Sequence, residues 1–181
     1  MDVYVIWGFL GSGKTTLINY LLSSCLVGRN VVILENESGK ESVDGALLRS
    51  HDYNVVDMRA GCICCTLRLE MFDQLREIEE RFHPDMVLIE PSGLASLEDL
   101  RRIPGLSISG WISMLDVTMY DRLMRLNPAF YQRQFYLSTV LFLTKTELME
   151  PEEVERIVSD LYRLHQGLLI VPDYRQCDAR E

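Results

Sequence analysis

The stretch WGFLGSGKTT, residues 7–16, separates an apolar run, residues 3–7, from a run with helical spacing, residues 14–26. It satisfies G-x-x-x-x-G-K-[ST], with Gly8 and Gly13 enclosing four residues and Lys14 and Thr15 closing the pattern. The pattern has meaning because it follows a strand and opens a helix. Glycines let backbone N–H groups turn inward around phosphates, and a helix N-terminus adds partial positive charge. Lys14 is placed to reach terminal phosphates and Thr15 to offer an oxygen to Mg²⁺; Gly11, Ser12 and Thr16 complete the expected loop. A glycine turn before an ordinary helix would need neither that lysine nor that hydroxyl.

Working outward, further apolar runs rich in β-branched residues recur at 31–35, 53–58, 86–89, 111–115, 140–143 and 168–171. They are continuous rather than alternating, which suits strands covered on both faces. Helical patterns lie between them at 67–82, 97–103, 119–137 with a break near Asn127 and Pro128, and 151–165. Ser96 with Asp99 has the spacing of a capping box, and Pro151 suits a first helical turn. Strand and helix alternating in this way predict an α/β fold with a mostly parallel central sheet and helices on both faces. Ligands of such sheets gather at the carboxyl ends of the strands.

The 181 residues are enough for one core, and no linker, repeat or low-complexity tract divides them, so a single domain over 1–181 is expected. The net charge of −9, with basic residues scattered, argues against nucleic acid and anionic membranes as partners. Residues 1–10 are apolar but lack a basic leader and run straight into the glycine loop, so they read as a buried strand. No apolar run is long enough to span a bilayer. Five cysteines, three of them crowded together, argue for reduced thiols and a cytoplasmic setting rather than a disulfide framework.

Two further motifs fall where the strands end. MVLIEPSG closes a buried run in Glu90, Pro91, Ser92 and Gly93. A carboxylate there faces a phosphate-bound Mg²⁺ directly or through water, and the Gly93 N–H can meet a γ-phosphate. RAGCICCTLR, residues 59–68, holds Cys62, Cys64 and Cys65. In a regular strand Cys62 and Cys64 share a side and Cys65 does not, so three thiolates on one ion require a bend, for which Gly61 is suited. Three readings stay open: small buried residues packing under a loop, a redox pair, or a soft-metal site for Zn²⁺ or Cu(I) whose fourth ligand comes from elsewhere. Cys25 and Cys177 stand alone as packing residues, and His51, His83 and His165 read as solvated or helix-end residues.

GFLGSGKTT, ENESG followed by VDG, GCICC and EPSG, in that order, resemble the CobW-type members of the metal-handling P-loop GTPases, alongside UreG and HypB. The resemblance covers residues 3–148 and implies a P-loop NTPase fold of the SIMIBI-like kind. It further implies a GTPase that couples GTP, GDP and Mg to binding of a transition metal, often zinc, at Cys62, Cys64 and Cys65, for transfer to a client metalloprotein or a cobalamin-related pathway. In that frame Gly8, Gly11, Gly13, Lys14, Thr15 and Thr16 match the phosphate loop, and Glu90 and Gly93 the E-x-x-G element. Asn36, Glu37, Gly39 and Asp44 match a segment that answers to nucleotide and metal, with Ser38 in place of a usual aromatic and Lys40 in place of a usual acid. Glu37 is the candidate additional metal ligand or water-orienting carboxylate.

FLTKTEL, residues 142–148, resembles the guanine-reading [NST]-K-x-D element, through Thr144, Lys145 and Glu147. Glu147 is one methylene longer than the usual aspartate, so the choice between GTP and ATP stays open. The family's smaller C-terminal domain is expected to be absent or removed, and homodimerisation across the nucleotide face is expected by analogy of fold. Two other functions remain: a non-catalytic metal-binding module with an occupied P-loop, and an ATP-using P-loop kinase.

Overall fold

The computed structural model describes residues 1–35, 54–58 and 66–173. Among these described residues the seven strands are β1 (Asp2–Gly8), β2 (Val31–Glu35), β3 (Asn54–Asp57), β4 (Met86–Glu90), β5 (Gly110–Asp116), β6 (Val140–Thr144) and β7 (Leu169–Val171). Each predicted apolar run becomes one of them. They form one sheet in the order β3-β2-β4-β1-β5-β6-β7, and every pair is parallel. The chain runs from central β1 out to β2 and β3, returns to slip β4 between β2 and β1, and then builds the other half. The reversal places the carboxyl ends of β1, β4 and β5 side by side, the usual ligand crevice of an open parallel sheet.

The helices are α1 (Lys14–Ser23), α2 (Thr66–Phe82), α3 (Leu97–Arg101), α4 (Tyr120–Leu126), α5 (Pro128–Leu137) and α6 (Pro151–Leu164). Alternation along β1 divides the core in two. Val3, Val5 and Trp7 face a cluster that takes in Met71, Leu75 and Ile78 of α2, Leu97 and Leu100 of α3, Leu123 of α4, Tyr131 and Phe135 of α5, and Ile157 and Leu161 of α6. Ile6 faces the other cluster, where Leu17, Ile18 and Leu22 of α1 pack on Ile33, Leu88, Met114 and Phe142. Complete burial of each of those three α1 side chains stabilises by about 1.5–3 kcal/mol.

Local chemistry sets the helix ends. α1 stops three residues before the periodicity does, because the Ser23 and Ser24 hydroxyls both donate to the Tyr20 carbonyl and compete with the helical ladder. The break predicted near Asn127 is real: Asn127 Oδ1 accepts from the Phe130 N–H at 3.2 Å, and Pro128 opens α5. Pro151 opens α6 in the same way. Ser96 does cap α3, but its side chain makes no capping bond. The first helical N–H, of Leu97, instead donates 2.8 Å to Gln134 Oε1 of α5, a buried acceptor that makes the expected box unnecessary.

Candidate functional site

The loop after β1 is shaped by two left-handed glycines, Gly11 at φ 76° and Gly13 at φ 92°, a region that side chains rarely enter. Gly13 caps α1, and its carbonyl accepts the Leu17 N–H at 2.9 Å. Lys14 and Thr15 therefore stand on the first turn, where N–H groups lack intrahelical partners. Close approach constrains the neighbouring glycines. A methyl group on Gly93 would lie 2.9 Å from the Gly8 carbonyl and 3.1 Å from Phe9 Cα, and one on Gly8 would strike Ser12 Oγ at 2.4 Å. The loops after β1 and β4 thus touch backbone to backbone. Ser12 is buried, and among the described residues its hydroxyl has no hydrogen-bond partner, an orphan that would suit a loop surrounding an anion.

Two clefts open on either side of this loop. One, of about 370 Å³, is lined by Phe9, Leu10, Lys14, Glu35, Glu90 and the 91–94 turn. The Lys14 ammonium lies 3.5 Å from Glu90 Oε1 and donates to the Phe9 carbonyl at 3.4 Å. With the two side chains only 11% and 16% exposed, water screens that pair weakly. The 91–94 turn is held from behind, where Trp7 Nε1 donates 3.1 Å to the Ala95 carbonyl.

The other cleft, of about 200 Å³, lies between residues 11–13 and the ends of β6 and β7. Gly11, Ser12, Gly13 and Thr16 face Thr144, Lys145, Thr146 and Glu147 across it, with Pro172 and Asp173 at the far wall. Thr144 Oγ1 sits 3.1 Å from the Ser12 carbonyl and 3.3 Å from that of Leu115, joining the phosphate loop to β6 and β5. Lys145 is left-handed, at φ 60°, and turns the chain into a short 3-10 turn, Thr146–Leu148. Its ammonium donates to Asp116 Oδ2 at the end of β5.

The structure thus brings together Gly8, Gly11, Ser12, Gly13, Lys14, Thr15, Thr16, Glu90, Gly93, Thr144, Lys145 and Glu147 along the carboxyl edge of the sheet. Glu37, Cys62, Cys64 and Cys65 lie outside the described residues, as do Asn36, Gly39, Asp44, His51 and Cys177. Among the described residues no cluster of three or more His, Cys, Asp or Glu could hold a metal. His83 and His165 both stand just past helix ends, as the sequence predicts.

The motifs missed two acids. Glu35, the last residue of the apolar run 31–35, is paired in register with Glu90 across β2 and β4 and lines the same cleft. Asp116 ends the run 111–115 at the level of Thr144. Each was detectable as an acid closing a buried strand, the position where parallel sheets place their ligands.

Comparison with known proteins agrees with this geometry. The zinc chaperone CobW of Pseudomonas aeruginosa is 36% identical over 105 residues, 52% of this chain and 28% of that protein. The zinc-regulated GTPase metalloprotein activator 1 of Dictyostelium discoideum is 30% identical over 138 residues, 68% of this chain. The chain spans under a third of these relatives, 28% and 29% of their lengths. In fold it is similar to the hydrogenase maturation factor HypB of Archaeoglobus fulgidus, with a TM-score of 0.73, 19% identity, and coverage of 94% of this chain and 80% of that one. The family model described as "CobW/HypB/UreG, nucleotide-binding domain" matches residues 2–172, nearly everything that builds the sheet and both clefts, and the chain belongs to that family as a CobW-type P-loop GTPase domain.

Proposed function

We propose that this chain, as one domain over 1–181, binds and hydrolyses GTP and couples its nucleotide state to the binding and transfer of a transition metal, zinc in the first instance, at Cys62, Cys64 and Cys65. The relatives named for zinc and for GTPase activity support this reading. The observation that carries it is the junction of β2 and β3 with the Lys14–Glu90 cleft. The Met58 N–H donates 2.7 Å to the carbonyl of Glu35, which lines that cleft. Cys62 follows Met58 by four residues, and four residues of chain reach at most about 14 Å. In this reading that short reach keeps cargo metal and terminal phosphate at one end of the sheet.

In this reading residues 11–16 wrap the phosphates, and Thr144, Lys145 and Glu147 meet the base. Lys14 exchanges Glu90 for the terminal phosphate, while the Gly93 N–H turns toward the same group. The oxygen donors that fit Mg²⁺ are the Thr15 hydroxyl and the Glu90 carboxylate, with Glu35 beside it, a hard donor set. Bound there, Mg²⁺ would neutralise charge developing on the phosphates. Glu37, two residues past Glu35, orients the attacking water or adds a ligand to the metal. A client metalloprotein receives the cargo, two copies meet across the nucleotide face, and the setting is cytoplasmic. Among the described residues no helix is long and apolar enough to cross a membrane.

The test is a zinc titration of the chain in GTP, GDP and nucleotide-free states, repeated with Cys64→Ala. Zinc affinity that differs between GTP and GDP and is lost in the variant supports the coupling; the same affinity in all three states overturns it. Phosphate release that persists in Lys14→Ala would remove hydrolysis from this site. Competition between GTP and ATP decides the base.

A further inference from the structure

The carboxylate of Asp116 is buried, yet it belongs to none of the motifs that matched a phosphate loop, a metal site or a base-reading element. Both of its oxygens are engaged. Oδ1 caps the 3-10 turn Val117–Met119 by accepting from the Thr118 N–H at 3.0 Å, and it also accepts from the Thr118 hydroxyl. Oδ2 accepts from the Lys145 ammonium. Asp116 and Thr144 are register partners on neighbouring parallel strands, so the carboxylate sits one residue away from the left-handed turn that carries Lys145 into the cleft.

A lysine has four rotatable carbons and a mobile head, and an exposed one samples many conformations. Here the head is fixed at one end by a charged hydrogen bond and the backbone at the other by the turn, so the stem between them is held where it lines the cleft. The partner is itself fixed, because Thr118 occupies the remaining carboxylate oxygen. With its charge answered by Asp116, the ammonium is directed away from a base in the cleft, which meets the aliphatic stem as a surface.

We infer that Asp116 is a positioning residue for nucleoside recognition: it latches Lys145 from the neighbouring strand so that the lysine stem forms a preset wall for the purine. This rests on the reading that the 200 Å³ cleft takes the nucleoside. An ordered wall saves the ordering cost at binding and therefore acts on affinity for the base-bearing ligand alone.

The experiment compares GTP with inorganic tripolyphosphate as ligands for the 181-residue chain by calorimetry, in wild type, Asp116→Asn, Lys145→Ala and the double variant. The expected result is that Asp116→Asn weakens GTP by about tenfold, the order of one charged hydrogen bond, and leaves tripolyphosphate unchanged. The double variant should then be no worse than Lys145→Ala, and Asp116→Glu, which keeps the charge, should recover part of the loss. Thr118→Val keeps the carboxylate and removes one of its tethers, so it should shift GTP affinity in the same direction even if Asp116→Asn fails to fold. Equal losses for GTP and tripolyphosphate, additive losses in the double variant, or GTP affinity unmoved by both Asp116→Asn and Thr118→Val would each overturn the proposal. Wild-type chain that binds GTP no tighter than tripolyphosphate would instead overturn the assignment of the cleft, and the proposal with it.

Discussion

Gly93 and Gly11 respond to a methyl group in opposite ways. At Gly93 the methyl would meet only backbone, the Gly8 carbonyl and Phe9 Cα, and backbone cannot rotate aside. Gly93→Ala is expected to cost about 1–3 kcal/mol, as overpacking does, and to push the two loops apart, so that melting temperature and triphosphate affinity fall together. At Gly11 nothing among the described residues lies within 4 Å, and the expense is that of a left-handed alanine, about 1–2 kcal/mol. Thermal melts and GTP titrations of the pair separate crowding from strain. Lys14→Ala should weaken GTP by about ten- to a hundredfold, the range of a charged hydrogen bond to phosphate, and calorimetry reads it directly. Gly11 and Lys14 were legible because their demands are local: a glycine for φ above zero, a lysine on the first turn. Glu35 and Asp116 were not legible from motifs, since each acts through a neighbouring strand, Glu35 beside Glu90 and Asp116 beside Thr144, and strand order is not written in any single stretch.

The helices on the larger core face are joined by polar contacts as well as by apolar packing. Gln134 of α5 accepts the Leu97 N–H that opens α3, and the Gln134 carbonyl accepts from Ser138, whose hydroxyl meets Ser113 of β5 at 2.6 Å. Gln134→Leu keeps the bulk but orphans the buried Leu97 N–H, a loss of about 1–3 kcal/mol that urea denaturation can measure. At the surface, Glu98 of α3 accepts from Arg133 of α5, and that hydrogen bond, with smaller help from Arg102, holds its carboxyl below the ordinary value of 4.5. A carboxyl lowered in the folded state stabilises it above its unfolded pKa, and the contribution disappears as pH falls through the folded pKa. Denaturation midpoints of wild type and Glu98→Gln should therefore differ at neutral pH and converge below 4.5; the gap is small because the pair is solvated. The elements themselves were legible from periodicity alone. What periodicity misplaced were C-terminal ends: α1 stops early through the Ser23 and Ser24 hydroxyls, and α3, which starts at Leu97 as expected, stops at Arg101 rather than at Ile103.

Across the whole molecule, the net charge of −9 opposes any polyanion at a distance, so the proposed phosphate binding has to rest on local N–H groups, Lys14 and the N-terminal end of α1. If zinc and GTP are coupled, thermodynamic linkage requires each to change the other's affinity by the same factor, so GTP titrations with and without zinc must return the ratio that zinc titrations give. Nucleotide at a hundred times its Kd should add about 2.7 kcal/mol to the unfolding free energy, visible as a rise in melting temperature that Lys14→Ala, at the same nucleotide concentration, cuts to half or less. The order β3-β2-β4-β1-β5-β6-β7 was foreseen only as a parallel sheet; which strand slips beside which depends on long-range packing. α1 serves at both of its ends: its first turn carries the groups proposed to meet phosphate, and the ten residues continue that turn into Leu17, Ile18 and Leu22, which roof the side of the sheet opposite the larger cluster. An occupant of the loop therefore acts as a doorstop for half the interior. Deuterium uptake at Ile6, Ile33 and Leu88 should slow once it arrives, although it touches none of them.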